Sequence, residues 1–300
     1  MTTSDSRPDN GDGEHFFDIQ KYLDSLVRRS NAAPLEDFSG LSPDQMHHLL
    51  YHPLDSVGSP VCLRESISDG TLDSIPFFRL VEEFVRIVKR EEFIKLTPKG
   101  ALPRKILHEL YGFGFLKEES IEKGYVKLMR ESDSVVLTTL SIVASLGGLA
   151  SKKDGRFTLT NRGRKFVEQN HREEMFRLVL QTFTGKFAWE YNDRYPVSEA
   201  GQLGWGYTVF LILKFGETDR TAGFYADKYM KAFPTILMRF KDDPFGPARR
   251  QCTDCYTLRV FSRFLKWFGF VQFNDDDEFF HREKSLVKST DVLAKVFALK

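Results

Sequence analysis

The sequence predicts a mainly α protein with two small α+β units and a multi-helical linking region. Three observations carry that expectation. An apolar helix that ends at glycine and runs straight into a hairpin with a charged tip occurs twice, from Ser134 to Gln169 and from Tyr256 to Val296. Elsewhere, apolar residues recur at helical spacing between clear start and stop signals. The 300 residues are 41% hydrophobic and 28% charged, the balance of a soluble globular chain long enough for two or three domains. Twenty-eight phenylalanines point to a core dominated by aromatic packing.

Residues 1–34 read as a disordered tail, up to about residue 14, followed by an arm helix with Phe17, Ile19, Tyr22, Leu23, Leu26 and Val27 at helical spacing. Ser30 to Pro34 ends it. Residues 35–118 form an N-terminal helical domain with a short strand. Ser42 is placed as N-cap, Pro43 opens the helix and Gln45 can close a capping box. A long helix is expected from Leu72 to Glu92, with Leu80, Phe84, Ile87 and Val88 on one face. A strand over Phe93–Thr97, a turn at Pro98-Lys99-Gly100 and a helix over 103–113 follow.

Residues 119–184 form the first α+β unit. Its helix spans 134–147, its strands 149–151 and 156–160, and Asp154-Gly155 is a strong hairpin turn. The return helix is expected to run from Asn161 to Phe183, roughly 35 Å at 1.5 Å per residue. Such length suggests a helix that bridges domains or packs against a second copy of the chain. Residues 185–251 read as a helical segment, with helices at 199–215 and 219–232 and a breaker-rich loop from Asp242 towards Gln251. Residues 252–300 form the second unit, its turn at Asn274-Asp275-Asp276-Asp277.

With 43 basic and 42 acidic side chains the net charge is +1, so no global field draws the chain to nucleic acid or membrane. Any electrostatic partner must meet a local patch. Lys152, Lys153, Arg156, Arg162, Arg164 and Lys165 set six cations against the single acid Asp154 within fourteen residues, a group suited to straddling a phosphate backbone. The preceding helix has no Arg, Lys, Asn or Gln to read base edges. In the second unit Arg259, Arg263 and Lys266 share one helix face, beneath an acidic tip of Asp275-Asp276-Asp277-Glu278 that would repel phosphate.

Cys252 and Cys255 form the one C-x-x-C and are weak metal candidates, because no second pair supplies the remaining ligands. The bland reading is two small apolar side chains one turn apart. His48 and His52 are i, i+4 but lack the carboxylate of a metal-dependent hydrolase. No phosphate-binding loop, dinucleotide fingerprint or nucleophile elbow occurs. No catalytic residue and no cofactor are expected.

Helix, wing hairpin and return helix over 134–169 resemble the winged-helix, helix-turn-helix pattern of many bacterial regulators, through Gly148-Leu149, Asp154-Gly155 and Leu159-Thr160-Asn161-Arg162-Gly163-Arg164. More loosely, Gly40 to Met46 and Leu96 to Pro103 resemble segments of bacterial proteins of unassigned function, including relatives of a plasmid open-reading-frame family. That likeness implies a bacterial cytoplasmic protein and transfers no catalytic residue. Three cysteines and the absence of a signal or membrane-spanning segment agree with a cytoplasmic setting. The leading functional reading is a non-enzymatic interaction or regulatory protein using winged-helix-like units as protein-binding or dimerisation platforms. The alternative is a transcriptional regulator contacting duplex DNA through the 152–165 wing. An enzyme whose site only the fold assembles is third.

Overall fold

The computed structural model describes residues 12–54, 57–244, 246–274 and 282–300, with side chains from Ile19 onward. Most of the expected N-terminal tail and the acidic tip Asp275 to Glu278 lie outside the described residues. The chain is mainly helical, with three small antiparallel sheets among the described residues. Helix α1 (Asp12–Ala32) begins a few residues earlier than expected. Helix α2 (Pro43–Tyr51) starts as its sequence implies: the Ser42 hydroxyl accepts the Gln45 N–H at 3.2 Å, and the Gln45 side chain accepts the Ser42 N–H at 3.0 Å.

Strand β1 (Val61–Leu63) leads to α3 (Asp69–Leu72) and α4 (Pro76–Arg90). The single helix expected over 72–92 is thus two, because Pro76 forces Ile75 into an extended conformation (φ −104°, ψ 98°). The apolar stripe of α4 is buried as expected, with Phe84 and Val88 fully inside. Then come β2 (Ile94–Lys95), α5 (Arg104–Gly112), α6 (Glu119–Glu122), α7 (Val135–Leu146), β3 (Ala150–Lys153), β4 (Arg156–Leu159), α8 (Asn161–Gln169) and α9 (Arg172–Gly185). The continuous return helix does not form. Asn170 sits in the left-handed region at φ 53° and ends α8, a position Asn tolerates better than most residues. The dimerisation argument from a 35 Å helix falls with it.

The expected hairpin is present, turned by Asp154 (φ 51°) and Gly155 (φ 68°), both with the positive φ that a tight hairpin of matching twist requires. Its partner was not foreseen. β2 adds to β4 with Ile94 opposite Phe157, giving the strand order β2-β4-β3. The boundary expected at 118/119 therefore cuts through one unit.

The second unit repeats the first. Helix α10 (Trp205–Phe215), β5 (Arg220–Thr221), α11 (Ala222–Ala232), α12 (Pro234–Met238) and α13 (Ala248–Tyr256) are followed by β6 (Val271–Phe273), β7 (Leu286–Ser289), α14 (Asp291–Val296) and β8 (Phe297–Leu299). α13 continues without a break as a π-wound stretch over Thr257–Leu265, so the loop expected to reach Gln251 stops at Pro247. The strand order is β5-β7-β6, again with the first strand on the outside of the third. Val271 pairs with Ser289 as Ala150 pairs with Leu159, and Arg220 pairs with Val287 as Ile94 pairs with Phe157.

The agreement extends to single bonds. Leaving out the short α6 and α12, the third helix of each unit, α7 and α13 with its π-wound continuation, ends at Gly148 (φ 65°) and Gly269 (φ 68°). The next amide closes back on the helix in both, Leu149 N–H to Ala144 O at 2.9 Å and Phe270 N–H to Leu265 O at 2.8 Å. Thr160 and Thr290, which precede the return helices, each donate a hydroxyl proton to that glycine's carbonyl at 2.6 Å. The 251/252 boundary is crossed as well, since this unit begins near Trp205.

One aromatic cluster joins the two repeats. Phe183 of α9 packs on Phe77 of α4 (centroids 5.3 Å apart) and on Phe264 and Phe268 of the second unit (5.8 and 5.1 Å). These are edge-to-face and offset contacts of the kind that add to simple area burial. At the chain's end, β8 pairs with β1, Val61 opposite Leu299, tying the last strand back across the N-terminal helices.

Candidate nucleic-acid interface

The six cations of the first hairpin and α8 are all exposed and stand in two groups. Lys152, Lys153 and Arg156 stand at the hairpin tip. Arg162, Arg164 and Lys165 stand on α8 beyond its base, about 13 Å away along four strand residues. β2 brings new cations to the tip: Lys95 lies directly opposite Arg156 in the ladder, and the Lys99-Gly100 turn is fastened to the hairpin by Lys152, whose Nζ donates to Gly100 O at 3.2 Å. The Arg156 guanidinium lies 4.4 Å from the centroid of the exposed Phe93 ring.

Lys95, Lys99, Lys152, Lys153 and Arg156 therefore gather at one end of the sheet, with Lys95, Arg156 and Lys153 in register across β2, β4 and β3. Asp154 sits in the same turn, and Lys152 also lies 4.0 Å from the Glu131 carboxylate. Glu131 is itself buried and committed, accepting the Leu102 N–H at 2.6 Å and the Ser141 hydroxyl. Lys95 and Lys99 escaped sequence reasoning because a two-residue strand carries no pairing signal. What could have found them is the outward-facing period-2 position of Lys95 beside Ile94.

The third helix of the first unit is covered. Within α7, Val136, Leu137, Leu140, Val143 and Ala144 are buried, and Leu146 alone is exposed. Asn192 donates to Thr139 Oγ1 at 2.6 Å from the loop that lies over the helix. At the N-terminus of α7 the Glu118 carboxylate accepts the Val135 N–H at 2.8 Å and the Ser134 hydroxyl, and burial pushes its pKa up. With its faces packed in this way, α7 cannot enter a DNA groove.

The second basic face is overturned by burial. The Arg259 side chain is wholly inside, gripping Asp193 through Nε and Nη2 at 2.8 Å each and donating from Nη1 to the carbonyls of Val197, Ser198 and Ala200 at 2.8, 2.9 and 3.0 Å. Arg263 is largely covered, donating to Asn192 O at 2.8 Å and lying 3.4 Å from Asp193. Of the three, Lys266 alone is exposed. Helical spacing placed these cations on one face correctly, but the loop through Asn192 to Ala200 folds over that face. The same loop covers both third helices.

Cys252 and Cys255 are buried free thiols, and burial raises the pKa of Cys252 to about 12 and that of Cys255 further. Protonated thiols are poor metal ligands and poor nucleophiles. Among the described residues no group of three or more His, Cys, Asp or Glu side chains is arranged to hold a metal ion.

A cleft of about 820 Å³ lies between the end of α2, the end of α9 and residues 198–205. Several of its polar groups are engaged in structure. The Gln202 amide donates to the carbonyls of Thr184 and Phe187 at 3.0 and 2.7 Å, and its oxygen accepts the Trp189 N–H at 3.0 Å. Ser198 donates to Glu199 at 2.7 Å, but Arg239, 2.8 Å away, and that hydroxyl hold the Glu199 pKa down to about 2. So acidic a carboxyl is a weak general base. The geometry offers polyanion contact at the hairpin edge more readily than acid–base chemistry in the cleft.

No family model, curated protein or solved structure matches this chain. Among the described residues no helix is long and apolar enough to cross a membrane.

Proposed function

We propose that the protein is a non-enzymatic interaction protein built from two winged-helix-like units, whose first wing edge docks on the phosphate backbone of duplex nucleic acid without reading its sequence. One observation carries this reading: Lys95, Lys99, Lys152, Lys153 and Arg156 stand together at the exposed hairpin end of the sheet, five cations around the one turn acid Asp154, while α7 and the helix bearing Arg259 are buried. Phosphate contacts position a protein and base contacts specify a site, and here the first kind of group is exposed and the second is not. The repeated strand order supports the winged-helix reading. Buried free thiols suit a reducing cytoplasm.

The test is fluorescence anisotropy on short duplexes of unrelated sequence across a salt series. If all five cations meet phosphate, log K against log salt slopes by about −4.5, equally for every duplex. Lys95→Glu with Lys153→Glu removes about two units of that slope. No binding at low salt, or binding indifferent to the double variant, defeats the proposal. A strong preference for one duplex sequence defeats its sequence-blind part.

A further inference from the structure

Helix α1 has no buried side chain among those described, from Ile19 onward. Ile19, Tyr22, Leu23, Leu26 and Val27 are 56, 63, 48, 42 and 57% exposed, and their i, i+3, i+4, i+7, i+8 spacing lays them along one stripe. The 21-residue helix is about 31 Å long and leans on the body mainly through α2. Helices are marginal in water without tertiary packing of an apolar face. This stripe has the composition of a face meant to be covered.

Charge along the helix selects the occupant. Asp12, Glu14, Asp18 and Asp24 against Lys21, Arg28 and Arg29 make α1 net acidic, which disfavours an anionic lipid surface. Three of the four acids fall in the first half and the Arg28-Arg29 pair near the end. A parallel copy sets arginine on arginine. An antiparallel copy lays each acidic half over the other's basic end and also opposes the helix dipoles favourably. We infer that α1 is a dimerisation arm, pairing antiparallel with α1 of a second copy about a twofold axis near Tyr22 and Leu23, with Ile19 of one copy facing Leu26 of the other. This inference is independent of the nucleic-acid reading and uses none of its residues.

Sedimentation equilibrium of the full chain tests it. An interface this small is expected to dissociate in the micromolar range, so wild type shifts from monomer to dimer between about 1 and 100 µM. Leu23→Glu with Leu26→Glu is expected to stay monomeric over that range with an unchanged melting temperature, since neither side chain is buried in the single chain. Arg28→Glu with Arg29→Glu weakens association by about tenfold or more, and Glu14→Lys with Asp18→Lys in the same chain restores it. Orientation is read from oxidative cross-linking: Leu23→Cys, near the axis, links copies quickly, whereas Ile19→Cys does not. A wild type that stays monomeric overturns the inference, whether or not it binds phosphatidylserine vesicles. So does a dimer indifferent to the Leu23→Glu, Leu26→Glu variant, or Ile19→Cys linking as fast as Leu23→Cys.

Discussion

Replacing Arg259 with leucine should be among the most damaging single changes to this protein. The arginine makes five hydrogen bonds, all between 2.8 and 3.0 Å: two to Asp193 and three to the carbonyls of Val197, Ser198 and Ala200. Its side chain is 0% exposed and that of Asp193 4%. Breaking a buried pair by removing one partner costs about 3–5 kcal/mol, because the other charge stays inside without compensation. Arg263, 3.4 Å from Asp193, relieves part of that burden, while three carbonyls lose their donor. We therefore expect about 4 kcal/mol, or a melting temperature lower by about 6 °C in a chain of this size. Urea unfolding followed by tryptophan fluorescence measures it. Because a buried pair can be nearly neutral when both members go, Asp193→Leu combined with Arg259→Leu should cost at least about 2 kcal/mol less than the sum of the single changes. A single variant within about 1 kcal/mol of wild type, or strict additivity, refutes the view that this pair clamps the loop onto the third helices.

A methyl group at Gly163 would lie 2.0 Å from Leu149 O, so Gly163→Ala should cost about 3 kcal/mol, read from the same urea curves; an unchanged midpoint refutes the close approach of α8 to the hairpin base. The Glu199 carboxyl should titrate at about pH 2 by NMR and move towards the ordinary carboxylate range in Arg239→Ala. Its folded pKa is depressed, so the small stabilisation from this exposed pair is present above the unfolded pKa and lost as pH falls through about 2. With Cys252 and Cys255 buried and Cys62 partly exposed, a thiol reagent should find no more than one rapidly reacting group in the native chain and three after unfolding. Two or three fast thiols without denaturant would contradict the packing of α13.

Local signals were legible in the sequence where neighbouring residues carry both halves of the instruction. Ser42 and Gln45 close their own capping box, and Asp154-Gly155 turns its own hairpin. Gly148 and Gly269 end their helices, because a left-handed residue is cheap only there. Tertiary structure decided what spacing cannot encode. β2 and β5 are two residues long and find partners some sixty residues away, so the sequence showed two hairpins but not the sheets they belong to, nor the domain boundaries. Asn170 broke the return helix against a periodic pattern that ran through it.

The candidate site divides in the same way. Sequence alone determined that the first hairpin carries cations and that α7 is too apolar to read bases. It also put Arg259, Arg263 and Lys266 on one helix face, because helical periodicity is a property of the chain. Whether that face meets solvent depends on a loop contributed from elsewhere, and the Asn192–Ala200 segment buried it. The gathering of Lys95 and Lys99 beside Arg156 likewise came from strand pairing. Charge and period are local quantities written in the residues; burial and neighbourhood are set by which distant surfaces bring the most apolar area and the best-paired polar groups together.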